Sequence, residues 1–307
     1  MPFEVTILGS NSALPTSNRY PTAQVLNVLG RFFLIDCGEG TQIQLRRNKI
    51  GFGKIKHIFI SHLHGDHYFG LIGLISTLNL LGLKTDIHIY SASELKNLLQ
   101  PQIDFFRGEM SVNLIFHPLN FKKQQKIYED KRVEVISFPV KHSIPTCGFL
   151  FRETHKPANI KKEMIENYNI PLNKIKDIKN GADFVADDGK VILNKQLTIP
   201  PSKPRSYAFC TDTAPHFPNL EIIKNVDLLY HEATFPESMK DFANKTFHST
   251  TIDAGEMAKQ ANAKKLIIGH FSARYKDVSL FLEEAKTVFK NTVLAKDGKT
   301  YSIPGKR

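Results

Sequence analysis

Residues 57–67 read His-Ile-Phe-Ile-Ser-His-Leu-His-Gly-Asp-His, an apolar run that ends in four side chains able to bind a metal ion. The run His57 to Ile60 is typical of a buried strand, and His62 and His64 follow it. Side chains two apart on extended backbone point to the same side, so both imidazoles can bind one ion. The pattern predicts a metal site at the end of a strand.

Asp66 and His67 extend this cluster at the predicted start of a helix over Phe69 to Leu83. They are close enough to the first pair to bind a second ion, as two-metal hydrolysis requires. Imidazole and carboxylate ligands suit zinc, with manganese or iron as alternatives. A surface histidine cluster that binds metal by accident is the simpler interpretation, but an acid and a further histidine in phase argue against it.

The composition indicates an ordinary globular protein. The chain has 307 residues, 41% of them hydrophobic, enough for one large domain or two small ones. Met1 is not followed by a secretory leader, and the apolar stretch Phe69 to Leu83 is too short to span a bilayer. We therefore expect a soluble, cytoplasmic protein with no membrane partner. The widely spaced Cys37, Cys147 and Cys210 are predicted to be buried apolar residues, not disulfides or zinc ligands.

The formal net charge of +11 favours a polyanionic partner, because lysines and arginines that neutralise phosphates release counterions. A solvated, lysine-rich surface explains the same charge equally well. One segment, Glu153 to Arg205, departs from the rest of the chain, with prolines, turn residues and little strand periodicity beyond Lys190 to Leu193. It is predicted to be an inserted, protruding arm.

Short apolar runs separated by helical segments predict an α/β chain with many strands. The predicted strands are Val5 to Leu8, Ala23 to Val28, Phe32 to Ile35, His57 to Ile60, Ile87 to Tyr90, Val133 to Phe138, Tyr207 to Phe209, Asp227 to Tyr230 and Leu266 to Ile268. Amphipathic helices are predicted around Leu71 to Leu81, at Ile252 to Ala261 behind a Thr250/Thr251 cap, and at Val278 to Phe289 with Asp277 as a cap.

Several predicted strands lead into polar residues that can bind metal or transfer protons. Because α/β sheets build their sites at one end of successive strands, we expect these side chains to converge. They are His142, Asp212, His231, Glu232 and His270.

These motifs resemble those of a known family. The H-x-H-x-D-H cluster is similar to that of the metallo-β-lactamase fold, and four further motifs resemble the short form of ribonuclease Z, the tRNA 3′-processing endonuclease. They are Asp36-Cys-Gly-Glu-Gly-Thr-Gln, His231-Glu-Ala-Thr-Phe, His248-Ser-Thr-Thr and Gly269-His-Phe-Ser-Ala-Arg-Tyr. The resemblance implies one α/β domain over residues 1–307, an αβ/βα four-layer sandwich with an inserted arm at about 153–205. It also implies two zinc ions, a homodimer, and an arm that grips precursor tRNA on the partner subunit.

The resemblance also implies roles for individual residues. One zinc ion would bind His62, His64 and His142, the other Asp66, His67 and His270, and Asp212 would bridge them. Asp66 would accept a proton from the attacking water, and His248, kept cationic by Glu232, would protonate the leaving 3′ oxygen. Arg274 would bind a substrate phosphate, although a structural ion pair is an alternative. His231 receives no ligand role, and His88, His117, His155 and His216 are predicted to be surface or helix-end residues.

The arm departs from the family pattern. The stretch Ile170-Pro-Leu-Asn-Lys-Ile-Lys keeps a proline but lacks the Gly-Pro pair that is common in short forms. The leading hypothesis is a zinc-dependent endoribonuclease that removes 3′ trailers, leaving a 3′-hydroxyl on the tRNA and a 5′-phosphate on the trailer. The alternatives are a small-molecule phosphodiesterase of the same fold and an RNA-binding scaffold with a vestigial metal site. Every ligand position is filled, which argues against the scaffold.

Overall fold

The computed structural model describes residues 1–106, 110–154 and 157–305. The strands, in chain order, are β1 (Phe3–Gly9), β2 (Asn11–Ser12), β3 (Ala23–Val28), β4 (Arg31–Ile35), β5 (Ile55–Phe59), β6 (Asp86–Ser91), β7 (Asn113–Pro118), β8 (Gln125–Glu129), β9 (Val133–Pro139), β10 (Cys147–Glu153), β11 (Asn159–Ile160), β12 (Phe184–Val185), β13 (Val191–Ile192), β14 (Thr198–Ile199), β15 (Ser206–Cys210), β16 (Leu228–Glu232), β17 (Leu266–Gly269), β18 (Phe271–Ser272), β19 (Thr292–Leu294) and β20 (Thr300–Ser302).

The α-helices, in chain order, are α1 (Thr41–Arg47), α2 (Gly65–Tyr68), α3 (Gly70–Leu80), α4 (Glu94–Ile103), α5 (Lys162–Asn167), α6 (Leu172–Lys179), α7 (Asn194–Leu197), α8 (Leu220–Ile223), α9 (Lys240–Lys245), α10 (Thr251–Gln260) and α11 (Ser279–Val288). Each of the nine predicted strand runs overlaps an observed strand. The predicted α/β class is therefore confirmed.

Two seven-stranded mixed sheets form the body of the molecule. The first has the order β20-β1-β3-β4-β5-β6-β7, and β4 to β7 run parallel. The second has the order β19-β17-β16-β15-β10-β9-β8, and β15, β16, β17 and β19 run parallel. Parallel strands point their carboxyl ends the same way, so the segments that follow β15, β16 and β17 meet at one edge.

Aromatic side chains fill the space between the two sheets. Phe59 of the first sheet lies edge-on to Phe149 and Phe151 of the second, with ring centroids 5.5 and 5.4 Å apart. Helix α3 packs apolar side chains such as Leu74 on the outer face of the first sheet, and Met257 of α10 joins the core of the second. Helices thus cover both outer faces, which gives four layers.

The helix predicted over Phe69 to Leu83 is observed as the shorter α3, which begins one residue later and ends three residues earlier. The chain forms α2 first and then, after Phe69, a separate helix α3, so Asp66 and His67 lie inside α2. Gly70 allows the start of α3 to lie against the Gly38 backbone, because a Cβ there would lie 2.0 Å from the carbonyl oxygen of Gly38. The close approach of these two segments fixes the beginning of α3.

The predicted Thr250 cap and the predicted state of the cysteines agree with the structure, whereas the cap of α11 is Val278 and not the predicted Asp277. Thr250 caps α10 in a reciprocal capping box with Asp253, as its sequence predicts. Asp277 accepts a hydrogen bond from the backbone N–H of Ser279 at 2.9 Å, one residue before the helix cap itself. The three cysteines are buried and free. Among the described helices, none combines the length and hydropathy that a membrane crossing requires.

Two of the four remaining histidines differ from their prediction. His88 and His117 are half-buried on neighbouring strands β6 and β7, with Nδ1 and Nε2 2.9 Å apart, and are neither surface nor helix-end residues. His216 precedes a short 3-10 helix, as predicted. His155 lies outside the described residues.

The segment predicted as an insertion leaves and rejoins the second sheet at one place. Strands β10 and β15 are antiparallel neighbours, and Arg152 pairs with Ser206 across them. At its base, the Arg205 guanidinium donates to both carboxylate oxygens of Glu153, at 2.8 and 3.1 Å. The segment between has its own small apolar core, formed by Ile170, Ile178, Phe184, Ile192 and Leu197.

Candidate metal centre

The polar residues singled out in the sequence meet at one edge of the two sheets. His62 and His64 follow β5, and Asp66 and His67 lie in α2 directly after them. The segments that follow β9, β15 and β17 in the second sheet carry His142, Asp212 and His270. The structure therefore brings together all seven side chains predicted to bind metal.

Three histidines and one aspartate form a first group. Their nearest ligand atoms all lie within 4.8 Å of one another, in the set His62, His64, His142 and Asp212. Nδ1 of His64 is 3.0 Å from Nε2 of His62 and 3.2 Å from Nε2 of His142. Oδ1 of Asp212 lies 3.8 Å from Nε2 of both of the other histidines.

Asp66, His67 and His270 form a second group beside the first. Oδ2 of Asp66 is 3.3 Å from Nε2 of His67 and 3.6 Å from Nε2 of His270. The other oxygen of Asp212, Oδ2, is 3.1 and 3.3 Å from the same two nitrogens. Asp212 therefore presents one oxygen to each group.

The chemistry of these side chains fits metal ions. Nε2 of His67 and of His270 are buried and have no hydrogen-bond partner among the described residues, a state that buried polar atoms avoid unless something coordinates them. Burial holds the pKa of His62 well below its usual range, so the ring is neutral. Burial alone would raise the pKa of the Asp212 carboxyl, but the imidazoles of His270 and His67 hold it well below its usual range. A neutral imidazole, as in His62, and an ionised carboxylate, as in Asp212, are the forms that bind zinc, manganese or iron.

The ring nitrogens that face away from the centre are also held. Asp36 accepts a hydrogen bond from Nδ1 of His67 at 2.7 Å, and its two oxygens also accept from the backbone N–H and hydroxyl of Ser61. The hydroxyl of Thr234 lies 2.9 Å from Nδ1 of His270. Such contacts fix the tautomer and orientation of a ligand histidine. Asp36 stands in one of the family-like motifs without a predicted role, and its one sequence signal is an acid directly after an apolar strand.

Exchanging Asp36 for asparagine is expected to weaken metal binding about 10- to 100-fold, because the charged acceptor that orients His67 is lost. Competition with a chelating indicator measures the affinity. Asp86→Asn, an exposed aspartate on β6, is the matched control and should bind metal as the wild type does. An unchanged affinity in Asp36→Asn would refute an orienting role.

Glu232 and His248 form a pair at the edge of the centre. Nδ1 of His248 donates to Oε1 of Glu232 at 2.8 Å. That carboxylate is fully buried and also accepts from the backbone N–H of Thr213 and the hydroxyl of Thr234. Burial would lower the pKa of His248, but Glu232 outweighs it and raises that pKa to about 9. The ring lies 5.2 Å from that of His142, so a protonated imidazole borders the centre.

His231 and Arg274 stand apart from the ligand groups. His231 is buried and its Nδ1 donates to the backbone carbonyl of its neighbour Glu232 at 2.7 Å, a structural contact. The Arg274 guanidinium lies 4.9 Å from the centroid of the Phe242 ring. No ion pair joins Arg274 to an acidic side chain in the described part of the chain. The stacked guanidinium keeps donors available for a phosphate.

The chain is similar over its whole length to curated proteins named Ribonuclease Z. It is 50% identical to that of Phocaeicola vulgatus over 303 residues, covering 98% of this chain and 97% of the relative. It is 46% identical to that of Bacteroides fragilis strain YCH46 over 301 residues, covering 98% of this chain and 99% of the relative. Residues 3–157 match the family model described as "Anti-Pycsar protein Apyc1", so half of the chain also falls within that family. That range ends before Asp212, Glu232, His248 and His270.

The fold is similar to that of solved structures over nearly the whole chain. Human tRNase Z, short form, superposes with a TM-score of 0.70 at 27% identity, covering 98% of this chain and 99% of that one. The metallo-beta-lactamase fold protein YhfI from Bacillus subtilis superposes with a TM-score of 0.69 at 19% identity, covering 98% of this chain and all of that one. The predicted metallo-β-lactamase fold is confirmed.

Proposed function

The chain belongs to the ribonuclease Z family, and we propose that it is a metal-dependent endoribonuclease that removes the 3′ trailer from tRNA precursors. The observation that carries the proposal is full-length similarity to proteins of that name together with the Glu232/His248 pair beside the metal groups. A small-molecule phosphodiesterase of the same fold would need the same metal ligands. Such an enzyme would not need the inserted segment to bind a large substrate. It would also not need a cationic histidine to protonate a poor leaving group.

The proposed cofactor is two Zn²⁺ ions per subunit, with Mn²⁺ or Fe²⁺ compatible with the same ligands. His62, His64 and His142 would hold one ion, and Asp66, His67 and His270 the other, with Asp212 shared. When bound, such ions would supply positive charge against the scissile phosphate and would make a water molecule more acidic. Side chains are proposed to transfer the protons and to bind the neighbouring phosphate.

Asp66 is proposed as the acceptor of the proton that the attacking water loses. Its Oδ2 is held by a hydrogen bond from the backbone N–H of Ala13 at 2.8 Å, so the carboxylate has a fixed direction. His248 is proposed to donate a proton to the leaving 3′ oxygen, which leaves a 3′-hydroxyl on the tRNA and a 5′-phosphate on the trailer. Arg274 is proposed to bind a neighbouring phosphate.

The inserted segment, about 153–205, is the proposed contact with the body of the tRNA. Lys161, Lys190 and Lys195 line one open groove together with Tyr168, which suits a phosphate backbone. Exposed apolar side chains such as Leu172, with 85% of its surface accessible, lie on the same segment. In a homodimer, which we also propose, the arm of one subunit would bind the tRNA that is cleaved at the site of the other.

The proposed location is the cytoplasm. Three free, buried cysteines support a reducing compartment.

Cleavage of an end-labelled precursor tRNA by the purified, metal-loaded protein tests the proposal. We expect a metal-dependent cut beside the discriminator base, absent in a chelated sample and in Asp66→Ala. If the precursor stays intact while bis(p-nitrophenyl) phosphate is hydrolysed, the protein is a small-molecule phosphodiesterase and the proposal fails.

The pH dependence of cleavage should respond to Glu232→Gln. His248 must carry its proton to act as an acid, so cleavage falls as pH rises through its pKa. Burial lowers that pKa and Glu232 raises it to about 9, so loss of the carboxylate charge should move the basic limb of the kcat profile to lower pH. Glu221→Gln, at an exposed position in α8, is the control. A basic limb that stays in place would exclude His248 as the acid.

A further inference from the structure

A closed loop, Ser10 to Tyr20, connects β1 to β3 next to the metal centre. The backbone N–H of Asn11 donates to the carbonyl of Tyr20 at 3.0 Å, which brings the two ends of the loop together. Near its start, Ala13 adopts a φ of +55°, a left-handed conformation that costs an alanine energy. A backbone held in this conformation requires contacts that impose it.

The loop contacts Asp66 of the second ligand group and the strand that directly follows His270. The backbone N–H of Ala13 donates to Oδ2 of Asp66 at 2.8 Å. On its other side, Asn11 and Ser12 form β2, which pairs parallel with β18 directly after His270. The N–H of Phe271 also donates to the carbonyl of Ser10 at 3.0 Å. Asp66 and His270 follow strands of different sheets, and this loop contacts the side chain of Asp66 and the backbone directly after His270.

Asp297, from the turn between β19 and β20, clamps the two ends of this loop. Its Oδ1 accepts from the hydroxyl of Ser10 at 2.6 Å, and its Oδ2 accepts from the backbone N–H of Tyr20 at 2.8 Å. The carboxyl group is largely buried, and hydrogen bonds in a low-dielectric site are stronger than in water. One side chain therefore holds the neck of the loop.

Arg19 braces the inside of the same loop. Its Nε donates to Oδ1 of Asn11 at 2.8 Å, and its Nη2 donates to the backbone carbonyl of Tyr275 at 2.5 Å. Tyr275 lies five residues beyond His270, so the bond ties the loop to the segment that carries this ligand. The guanidinium also lies 5.9 Å from the centroid of the Phe271 ring.

We propose that Asp297 and Arg19 are positioning residues for the second ion: through the Ser10–Tyr20 loop they hold Asp66 and His270 at the spacing that one ion requires. The inference rests on the proposed ligand groups. Neither residue touches the centre itself, and the first group, His62, His64, His142 and Asp212, receives no contact from this loop among those described. Loss of either brace should therefore affect one ion and spare the other.

Zn²⁺ titration of the metal-free, full-length protein tests this, with His64→Ala and Asp66→Ala identifying which binding step belongs to which ion. In Asp297→Asn and in Arg19→Ala we expect the Zn²⁺ affinity of the step assigned to the second group to fall about tenfold. This is the low end of the effect of residues that orient metal ligands. The Zn²⁺ affinity of the step assigned to the first group should stay within twofold of the wild-type value. Arg19→Lys, which keeps the charge, should recover part of the loss.

Asp227→Asn is the matched control. Asp227 is another largely buried carboxylate that fastens a loop, through the backbone N–H of Ser206, at the opposite ends of the parallel strands. It should lower the thermal unfolding midpoint without changing either Zn²⁺ step. An unchanged second step in Asp297→Asn, or an equal loss in both steps, would overturn the positioning role. A wild type that binds fewer than two ions would overturn the ligand groups themselves.

Discussion

His248→Ala is expected to lower the single-turnover rate of precursor tRNA cleavage by about 10²- to 10⁴-fold, the usual contribution of a general acid. The imidazole donates a hydrogen bond to Glu232 at 2.8 Å, and its pKa is raised to about 9, so it is protonated at neutral pH. Without it, the ribose 3′ oxygen must leave as a poorly stabilised alkoxide. The measurement is cleavage of an end-labelled precursor with enzyme in excess.

A second substrate separates loss of the acid from loss of the site. The nitrophenolate of bis(p-nitrophenyl) phosphate leaves without a proton, so its hydrolysis should be nearly unchanged in His248→Ala. His117→Ala, a half-buried histidine of the first sheet, is the matched control and should cleave both substrates normally. Equal losses on both substrates would show that His248 serves the metal centre instead of the leaving group.

Asp212→Ala is expected to reduce cleavage of every phosphodiester by about 10³-fold or more. Its Oδ1 faces the first group and its Oδ2 the second, so its removal would take a carboxylate from both proposed ions at once. Metal charge supplies several kcal/mol to phosphoryl chemistry, and each 1.4 kcal/mol is about tenfold in rate. Elemental analysis after dialysis at fixed free Zn²⁺ should show less than one ion per subunit.

The stability of this variant distinguishes lost coordination from misfolding. Thermal unfolding in chelator should show an intact fold, because the strand that precedes Asp212 is buried on both faces by apolar side chains. Excess Zn²⁺ should raise the unfolding midpoint of wild type more than that of the variant, since only a folded site binds the ions tightly. Two retained ions and wild-type cleavage would exclude a shared role for Asp212.

The site was more predictable than the sheets because its residues are marked by local spacing. His62 to His67 and Glu232 are recognisable from their immediate neighbours. Strand β10 was not predicted, although it lies inside the second sheet, because its sequence, Cys-Gly-Phe-Leu-Phe-Arg-Glu, carries a glycine that strands usually avoid. Gly148 is required there by packing, since a Cβ would lie 2.6 Å from the Phe138 ring and 2.7 Å from the carbonyl of Phe209. Such requirements arise only in three dimensions.

The same limit applies to contacts between distant residues. The edge strands β7 and β8 have partly exposed, mixed sequences whose pairing partners decide their structure. Asp36 reaches His67 across 31 positions, and Asp297 reaches Ser10 across 287. Local patterns indicate which residues carry chemistry, whereas the residues that orient them are found only once the chain is folded.

The base of the inserted segment has a consequence for how proteins of this type can diversify. Because Arg152 and Ser206 face each other across paired strands and Glu153 and Arg205 close the junction, a short hairpin could replace everything beyond it without shifting the sheet. The segment has a core of its own, so we expect that it could be exchanged as a unit. If the segment contacts RNA as proposed, its sequence could change to suit a different RNA without altering the proposed metal ligands, which all lie outside it.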